Sequence, residues 1–378
     1  VAPDIVSLNV SDLPPATDLL ASLLNAPGLE VQIAGDLAGR TEAGKQAALL
    51  KHGGTLASER TVNESLKWLA RHQLPDGGGS YEHTSGKDCD CDEPGTFKEG
   101  RLSATGLALT TFLGAGHTSI DGQHAKVVRE GTAFLLRNGK AGEGGTFDLR
   151  SAPAGNRNEG IYEQAICTTA LCESLAMVRM QLAMNSGRIQ LADGRTADRR
   201  PFVQMEQELA PKAQGAINWL VRHQEPNGGW KYDPKHGNAP DTSVHGWCMM
   251  ALLSGKSAGL NVPEKTLSQA QAFLNTVAAE GGAFYGYNRP DKRLSTTGIG
   301  LLCRMYGGWQ RSEPALEKGV SYLSTSGPRL NDLYYTYYAT QVMHHWGGEK
   351  WVKWNLATRD ALIASQVRTG HAAGSWNV

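Results

Sequence analysis

No stretch of this sequence carries the roughly 18 unbroken apolar residues that a membrane-spanning helix requires. Neither charge sign dominates: 37 Lys and Arg balance 37 Asp and Glu. There is thus no basic stripe for nucleic acid and no acidic, solvating tail. Cysteine is sparse, with six in 378 residues. Cys167, Cys172, Cys248 and Cys303 sit in apolar runs, where a free thiol behaves as a small hydrophobe. That spacing is no disulfide scaffold and leaves the redox compartment open. No targeting segment is visible. The cell envelope or periplasm is the expected location, and an upstream signal or anchor before Val1 stays open. Glycine, by contrast, is plentiful at 45 residues, and it gathers in corners instead of recurring at a fixed short period.

Those corners punctuate a repeat. Residues 219–253 show the unit most clearly: a helix ending in Arg222-His223-Gln224, the turn Glu225-Pro226-Asn227-Gly228-Gly229-Trp230, then a very apolar helix beginning at Asp241-Thr242-Ser243. Amphipathic helices are expected at 63–72, 123–137, from about Lys212, at 264–276, 314–323 and 350–366. Helices apolar on nearly all sides are expected at 101–113, 161–178, from Asp241, at 294–306 and 333–346. A helix apolar all round is buried all round, so these form an inner layer. The expected fold is all-α, an (α/α)6 toroid over residues 51–378 with six outer and five inner helices. A sixth inner helix is expected to be missing from this chain. The N-terminal arm, further C-terminal residues or a partner chain are the candidates for closing the barrel. Residues 1–50 read as that arm, extended at Pro3, Pro14 and Pro15, with a short helix at 17–24.

The Gly pairs at 144–145, 228–229 and 281–282 are expected to supply positive φ, and Phe147, Trp230 and Phe284 to plug the seams between repeats. Gln73 and Gln224 are placed to bond orphan carbonyls at the outer-helix ends.

The phrase WLVRHQEPNGGW resembles the QW-type repeat of the squalene cyclase and prenyltransferase superfamily. Degenerate copies lie at 68–80, 134–147, 273–284 and 361–376. Longer phrases, DTSVHGWCMMALLSGKSAGL and YYTYYATQVMHHWGGEKWVKWN among them, are similar to planctomycete prenyltransferase/squalene-oxidase repeat proteins. The resemblance covers residues 40–378 and implies the toroid, with the functional site at the inner-helix N-termini. Cyclases of this group protonate substrate through Asp-x-Asp-Asp-Thr; here Asn238-Ala239-Pro240-Asp241-Thr242 keeps only the last Asp and the Thr. Protein prenyltransferases hold zinc with Asp-x-Cys, and here Ser243 follows Asp241 at plus two. The thioester motif of complement-like toroids is absent too. No motif requires a cofactor, and whether the chain is an enzyme stays open.

Parallel inner helices would bring their N-termini and positive dipole ends to one mouth. Asp241 is the candidate acid there, with His245 one turn on and Tyr334 opposite; an N-cap role competes for Asp241. Arg101, Tyr162, Gln164, Ser243, Trp247, Arg293, Asn331, Tyr335 and Tyr338 are the candidate ligand contacts. The tyrosine run 334–338 could stack on a sugar, face a carbocation, or simply pack. The loop YEHTSGKDCDCDEPGT offers His83, Cys89 and Cys91 as weak metal ligands at spacings unlike those of structural zinc. The expected function is a binding or scaffold toroid that holds an apolar small molecule, a glycan or a protein partner at the mouth. An isoprenoid-handling enzyme with Asp241 as acid and a polysaccharide-active enzyme are the alternatives. Scarce Phe, seven in all, beside many Tyr, Ser and Arg at the mouth, favours a more polar interior than a triterpene cyclase needs.

Overall fold

The computed structural model describes residues 39–40, 44–45, 49, 51–82, 100–151, 160–233, 237 and 239–376. The expected helix at 17–24 and the loop carrying His83, Cys89 and Cys91 lie outside them. The described residues form eleven α-helices: α1 Leu56–Arg71, α2 Arg101–Gly114, α3 Ala125–Asn138, α4 Gly160–Met184, α5 Arg200–Arg222, α6 Thr242–Ser257, α7 Glu264–Val277, α8 Leu294–Tyr306, α9 Pro314–Ser326, α10 Leu333–Trp346 and α11 Gly348–Ser365. Odd-numbered helices are the outer layer and even-numbered ones the inner layer. No described helix is long and apolar enough to cross a membrane.

Two starts differ from expectation. Helix α1 begins at Leu56, seven residues before the expected start at 63, and is capped by Thr55; Ser58 N–H donates to the Thr55 hydroxyl oxygen, and Thr55 N–H donates back to Ser58 Oγ. Helix α5 starts at Arg200 and carries Pro211 within it. A proline marks a helix start by default, but here the helix continues through it, with Phe202 and Leu209 buried on the upstream half.

The inner helices pack in chain order, α2 on α4, α4 on α6, α6 on α8 and α8 on α10. Their N-terminal ends meet. Ser103 N–H at the start of α2 donates to Glu163 of α4 at 3.0 Å, and Ser295 of α8 lies 3.5 Å from Asp332, the N-cap of α10. The five helices therefore run parallel. Helix α4 is buried on nearly every side, including Cys167 and Cys172, which are free thiols like Cys248 and Cys303.

A repeated glutamine closes the outer layer. Gln73 donates to Gly77 O of its own turn and to Val127 O of α3 at 2.8 Å. Gln224 donates to Gly228 O and to Thr266 O of α7 at 2.9 Å. Gln366, after the last helix, donates to Gly374 O and to Thr61 O of α1 at 2.8 Å. The glutamines thus reach into the next outer helix of the ring, where carbonyls at the end of their own helix were expected. The junction from α11 back to α1 uses the same bond as the α1–α3 and α5–α7 junctions, so six outer helices make a closed ring. Five inner helices stand inside it among the described residues. The described N-terminal residues pack against both layers: His52 O accepts from Trp351 Nε1 and Asn355 Nδ2 of α11, the His52 ring lies 4.7 Å from His344 of α10, and Arg40 reaches Glu173 of α4.

The corners behave as plugs. Trp230 is fully buried and donates Nε1–H to Leu220 O; Trp376 does the same to Leu362 O, each at 2.9 Å. Phe147 and Phe284 are also buried. The Glu-Gly-Gly corners are tight hairpins, β1 (Lys140–Gly142) with β2 (Thr146–Asp148) and, in the fourth repeat, Ala278–Ala279 with Phe284–Tyr285. Positive φ occurs at Gly144, Gly145, Gly281, Gly282 and Gly228, but not at Gly229. At Gly228 (φ 86°) a Cβ would lie 1.9 Å from Gln269 O of α7, so both backbone conformation and close approach demand glycine.

Candidate functional site

The inner-helix N-termini gather a cluster of hydroxyls around Asp241. Asp241 is 1% exposed and is the N-cap of α6: its Oδ1 accepts from Ser243 N at 2.9 Å and Val244 N at 3.0 Å. Burial raises its pKa from 3.8 to about 6, while those two amides and the Tyr287 hydroxyl draw it down. The cap and the raised pKa thus coexist in one side chain. The Tyr334 hydroxyl is buried and faces Ser243, Tyr162 and Tyr338, and none of these contacts has full hydrogen-bond geometry. Tyr162 packs on Tyr232 with ring centroids 4.9 Å apart, and burial pushes its phenol far above the usual range. Tyr232 and Tyr287, absent from the expected set, complete the cluster. Both stand in loops, where helical periodicity gives no signal.

The other expected residues are employed elsewhere. His245 is fully buried and lies toward the outer layer, 5.5 Å from Trp230 and 4.7 Å from Phe273 ring to ring. Both its ring nitrogens lack partners, and burial, then Arg304, lowers its pKa to about 3. Gln164 is fully buried and braces the β2 corner, accepting from Leu149 N and donating to Phe147 O. Tyr335 donates its hydroxyl to Gly327 O behind α9. Arg101 pairs with Asp76 at 2.7 Å beneath Phe134, and Arg293 pairs with Asp291 at 2.7 Å on the surface. Asn331 is exposed.

Below the hydroxyl cluster an aromatic layer crosses the ring. Trp247 is near-parallel to Tyr337 (13°, centroids 6.1 Å apart) and edge-on to Tyr338, which in turn meets Tyr334 at 5.2 Å. Under this layer lies a cavity of about 300 Å³. Trp247 and Tyr337 line it together with Thr110 and Thr111 of α2, Thr169 and Glu173 of α4, and Gln341 of α10. Its α2 and α6 residues come largely from the C-terminal halves of those helices. The cavity therefore lies toward the end of the toroid opposite the expected mouth, and of the expected contacts Trp247 lines it. Arg40 forms part of its wall and pairs with Glu173 at 2.9 Å, both side chains about one-fifth exposed (18% and 19%). Glu173 had a signal in the sequence: it is the one charged residue in the apolar run 164–178. Arg304, the one charged residue of α8, turns to the outer layer and bonds Gln271 O and Tyr285 Oη. Among the described residues no group of three or more His, Cys, Asp or Glu could hold a metal ion.

No family model matches the chain, and no curated protein matches it. Among solved structures it is similar to a GH76 alpha-mannanase from Bacteroides thetaiotaomicron. The TM-score is 0.52 at 9% identity, over 87% of this chain and 90% of that one. A match so complete in coverage and so low in identity speaks for architecture alone. This chain has the helical α/α-toroid fold, and the prenyltransferase-type toroid is one form of that architecture among several.

Proposed function

We propose that the protein is a ligand-binding toroid whose chamber is the interior cavity under the Trp247–Tyr337 layer. The carrying observation is that cavity. It is a half-open pocket of about 300 Å³, with Tyr337 43% exposed, walled by inner helices and Arg40 and holding an aromatic pair and a carboxylate. This size sits at the lower end of small-molecule pockets. Its lining combines an aromatic pair with several hydroxyls, an amide and an ion pair, groups able to orient a ligand. The binding reading of the sequence is kept, and its location moves from the N-terminal mouth to the chamber.

Hydrolysis of a glycan is less well supported. Glycoside hydrolysis ordinarily uses two carboxyl groups flanking the bond. Glu173 is the one carboxylate among the lining residues, and Arg40 already holds it. The fold likeness to a mannanase therefore bears on architecture, and the chemistry rests on the lining.

A second reading has one observation in its favour. Asp241 stays protonated up to about pH 6 and so could serve as a general acid toward an isoprenoid in the aromatic interior. Its burial and its two cap bonds count against it.

The test fills the chamber. Ser254 lines the cavity, and Ser254→Trp should occupy it. A small-molecule library is screened by thermal shift against the native protein and this variant. Ligands that stabilise the native protein and lose that effect in Ser254→Trp support the chamber. Ligands that stabilise both equally, with loss in Asp241→Asn instead, move the site to the mouth.

A further inference from the structure

We propose that the chamber takes a neutral, polyhydroxylated ring, a pyranose-type sugar, and that Glu173 and Gln341 set this preference. The proposal rests on the chamber reading above and adds the chemical class of the ligand. It follows from how the donors and acceptors of the wall are already committed. Thr110 and Thr111 both donate their hydroxyl protons to Leu107 O, and Thr169 donates to Ala165 O, each at 2.9 Å. These three hydroxyls therefore meet the cavity as acceptors. Glu173 adds acceptor capacity. Its Oε2 holds Arg40, while its Oε1 takes a long 3.5 Å bond from Ser254 Oγ. Gln341 is a donor among them: its buried amide nitrogen has no hydrogen bond of full geometry and faces the Tyr337 hydroxyl. Arg40, Ser254, Ser257, Tyr306 and Tyr337 also line the wall and bring further N–H and O–H groups. The wall thus mixes acceptors with donors, and it asks for a ligand with several O–H groups and acceptor oxygens.

Charge narrows the class. Arg40 neutralises Glu173, so the chamber carries no net charge among its lining residues. A cationic ligand would stand beside Arg40. An anionic one would compete with Glu173 for it and leave a carboxylate uncompensated in a partly buried place. A neutral ligand leaves the pair intact. Shape narrows it further. Trp247, itself 9% exposed, and Tyr337 present near-parallel rings, and the C–H face of a pyranose packs on such surfaces while its hydroxyls point sideways to the polar wall. Arg40 completes the site, because it supplies the counter-charge that keeps it neutral.

The experiment titrates the full chain with methyl glycosides of glucose, galactose and mannose, with glucuronate and with glucosamine. Tryptophan fluorescence and calorimetry are the readouts. Gln341→Leu, Glu173→Gln and the chamber-filling Ser254→Trp are titrated in parallel, each checked for native thermal unfolding. The expected result is binding of at least one neutral glycoside. Gln341→Leu and Glu173→Gln should each weaken it about tenfold or more, and Ser254→Trp should abolish it. Tighter binding of glucuronate or glucosamine than of every neutral glycoside, abolished by Ser254→Trp, overturns the ligand class and leaves the chamber standing. Failure of every saccharide to bind overturns the class as well. The thermal-shift screen then decides the chamber by itself. If Gln341→Leu misfolds, Gln341→Glu replaces it. That variant exchanges the amide donor for an acceptor at constant size and should weaken neutral glycosides to the same extent.

Discussion

At the residue scale, two neighbours on α6 illustrate how burial acts on charge with opposite sign. Asp241 has its pKa raised from 3.8 to about 6. Its ionisation therefore costs nothing below pH 3.8, and the cost grows through that interval to its full value above about pH 6. Asn at this position still offers an oxygen to the Ser243 and Val244 amides. Asp241→Asn should then gain stability relative to the native protein between pH 4 and pH 7, by up to about 3 kcal/mol. Asp241→Ala loses the cap and should cost about 1 kcal/mol. Urea unfolding at the two pH values measures both. An Asn variant that loses stability on going to pH 7 would refute the raised pKa. His245 works the other way. Its pKa falls from 6.5 to about 3, so its contribution is whole above pH 6.5 and drains away as pH drops toward 3. His117 and His345, each lowered to about 4 mainly by burial, add to the same acid sensitivity. Replacing His245 with Leu removes two unpartnered buried nitrogens. It should flatten the stability difference between pH 7 and pH 5 by on the order of 2 kcal/mol.

At the element scale, the corner glutamine is the joint. Gln224→Ala should cost about 2 kcal/mol, since it leaves carbonyls of the turn and of α7 without a donor. Gly228→Ala should cost more, because strain at positive φ adds to the collision with Gln269 O. Chemical denaturation of the two variants ranks them. This joint was half legible in the sequence. The Gln-Gly-Gly-Trp spacing was visible, and so was its structural role. The partner was not, because the second carbonyl lies 42 residues downstream in another helix. Helix ends inside apolar periodic runs, such as α8 and α10, were legible to the residue. The start of α5 was not, because Pro211 carries a local signal that tertiary burial of Phe202 and Leu209 overrides. The site was the least legible part. Asp241, Ser243, Tyr162, Tyr334 and Tyr338 were brought together as the parallel inner helices implied, whereas His245, Gln164 and Tyr335 lie toward the outer layer. Helical phase decides that facing, and a helix apolar on all sides gives no phase to read.

For the whole molecule, burial is uneven around the ring. Helices α4 and α6 are buried along most of their length, whereas α11 buries Trp354 and Thr358 and leaves Val352 and Leu356 exposed. Helix α1 buries Thr61 and Leu66. Local opening should follow this gradient. Native-state hydrogen exchange is expected to be fastest in α1 and α11 and slowest in α4 and α6. In Gln366→Ala the acceleration should be confined to α1 and α11. A uniform acceleration around the ring would show instead that the junction is energetically no different from the rest.

The bond from Gln366 to Thr61 carries one more consequence. A ring whose last joint is chemically the same as two joints inside it has no chemically marked first repeat, so linear order and spatial order are separable. Joining the chain after Trp376 to the segment before Thr55, and cutting instead at residues 192–195, the exposed tip of the hairpin that pairs Ile189–Gln190 with Thr196–Ala197, would give a differently ordered polypeptide. Each of its neighbouring helices would still meet the neighbour it meets now.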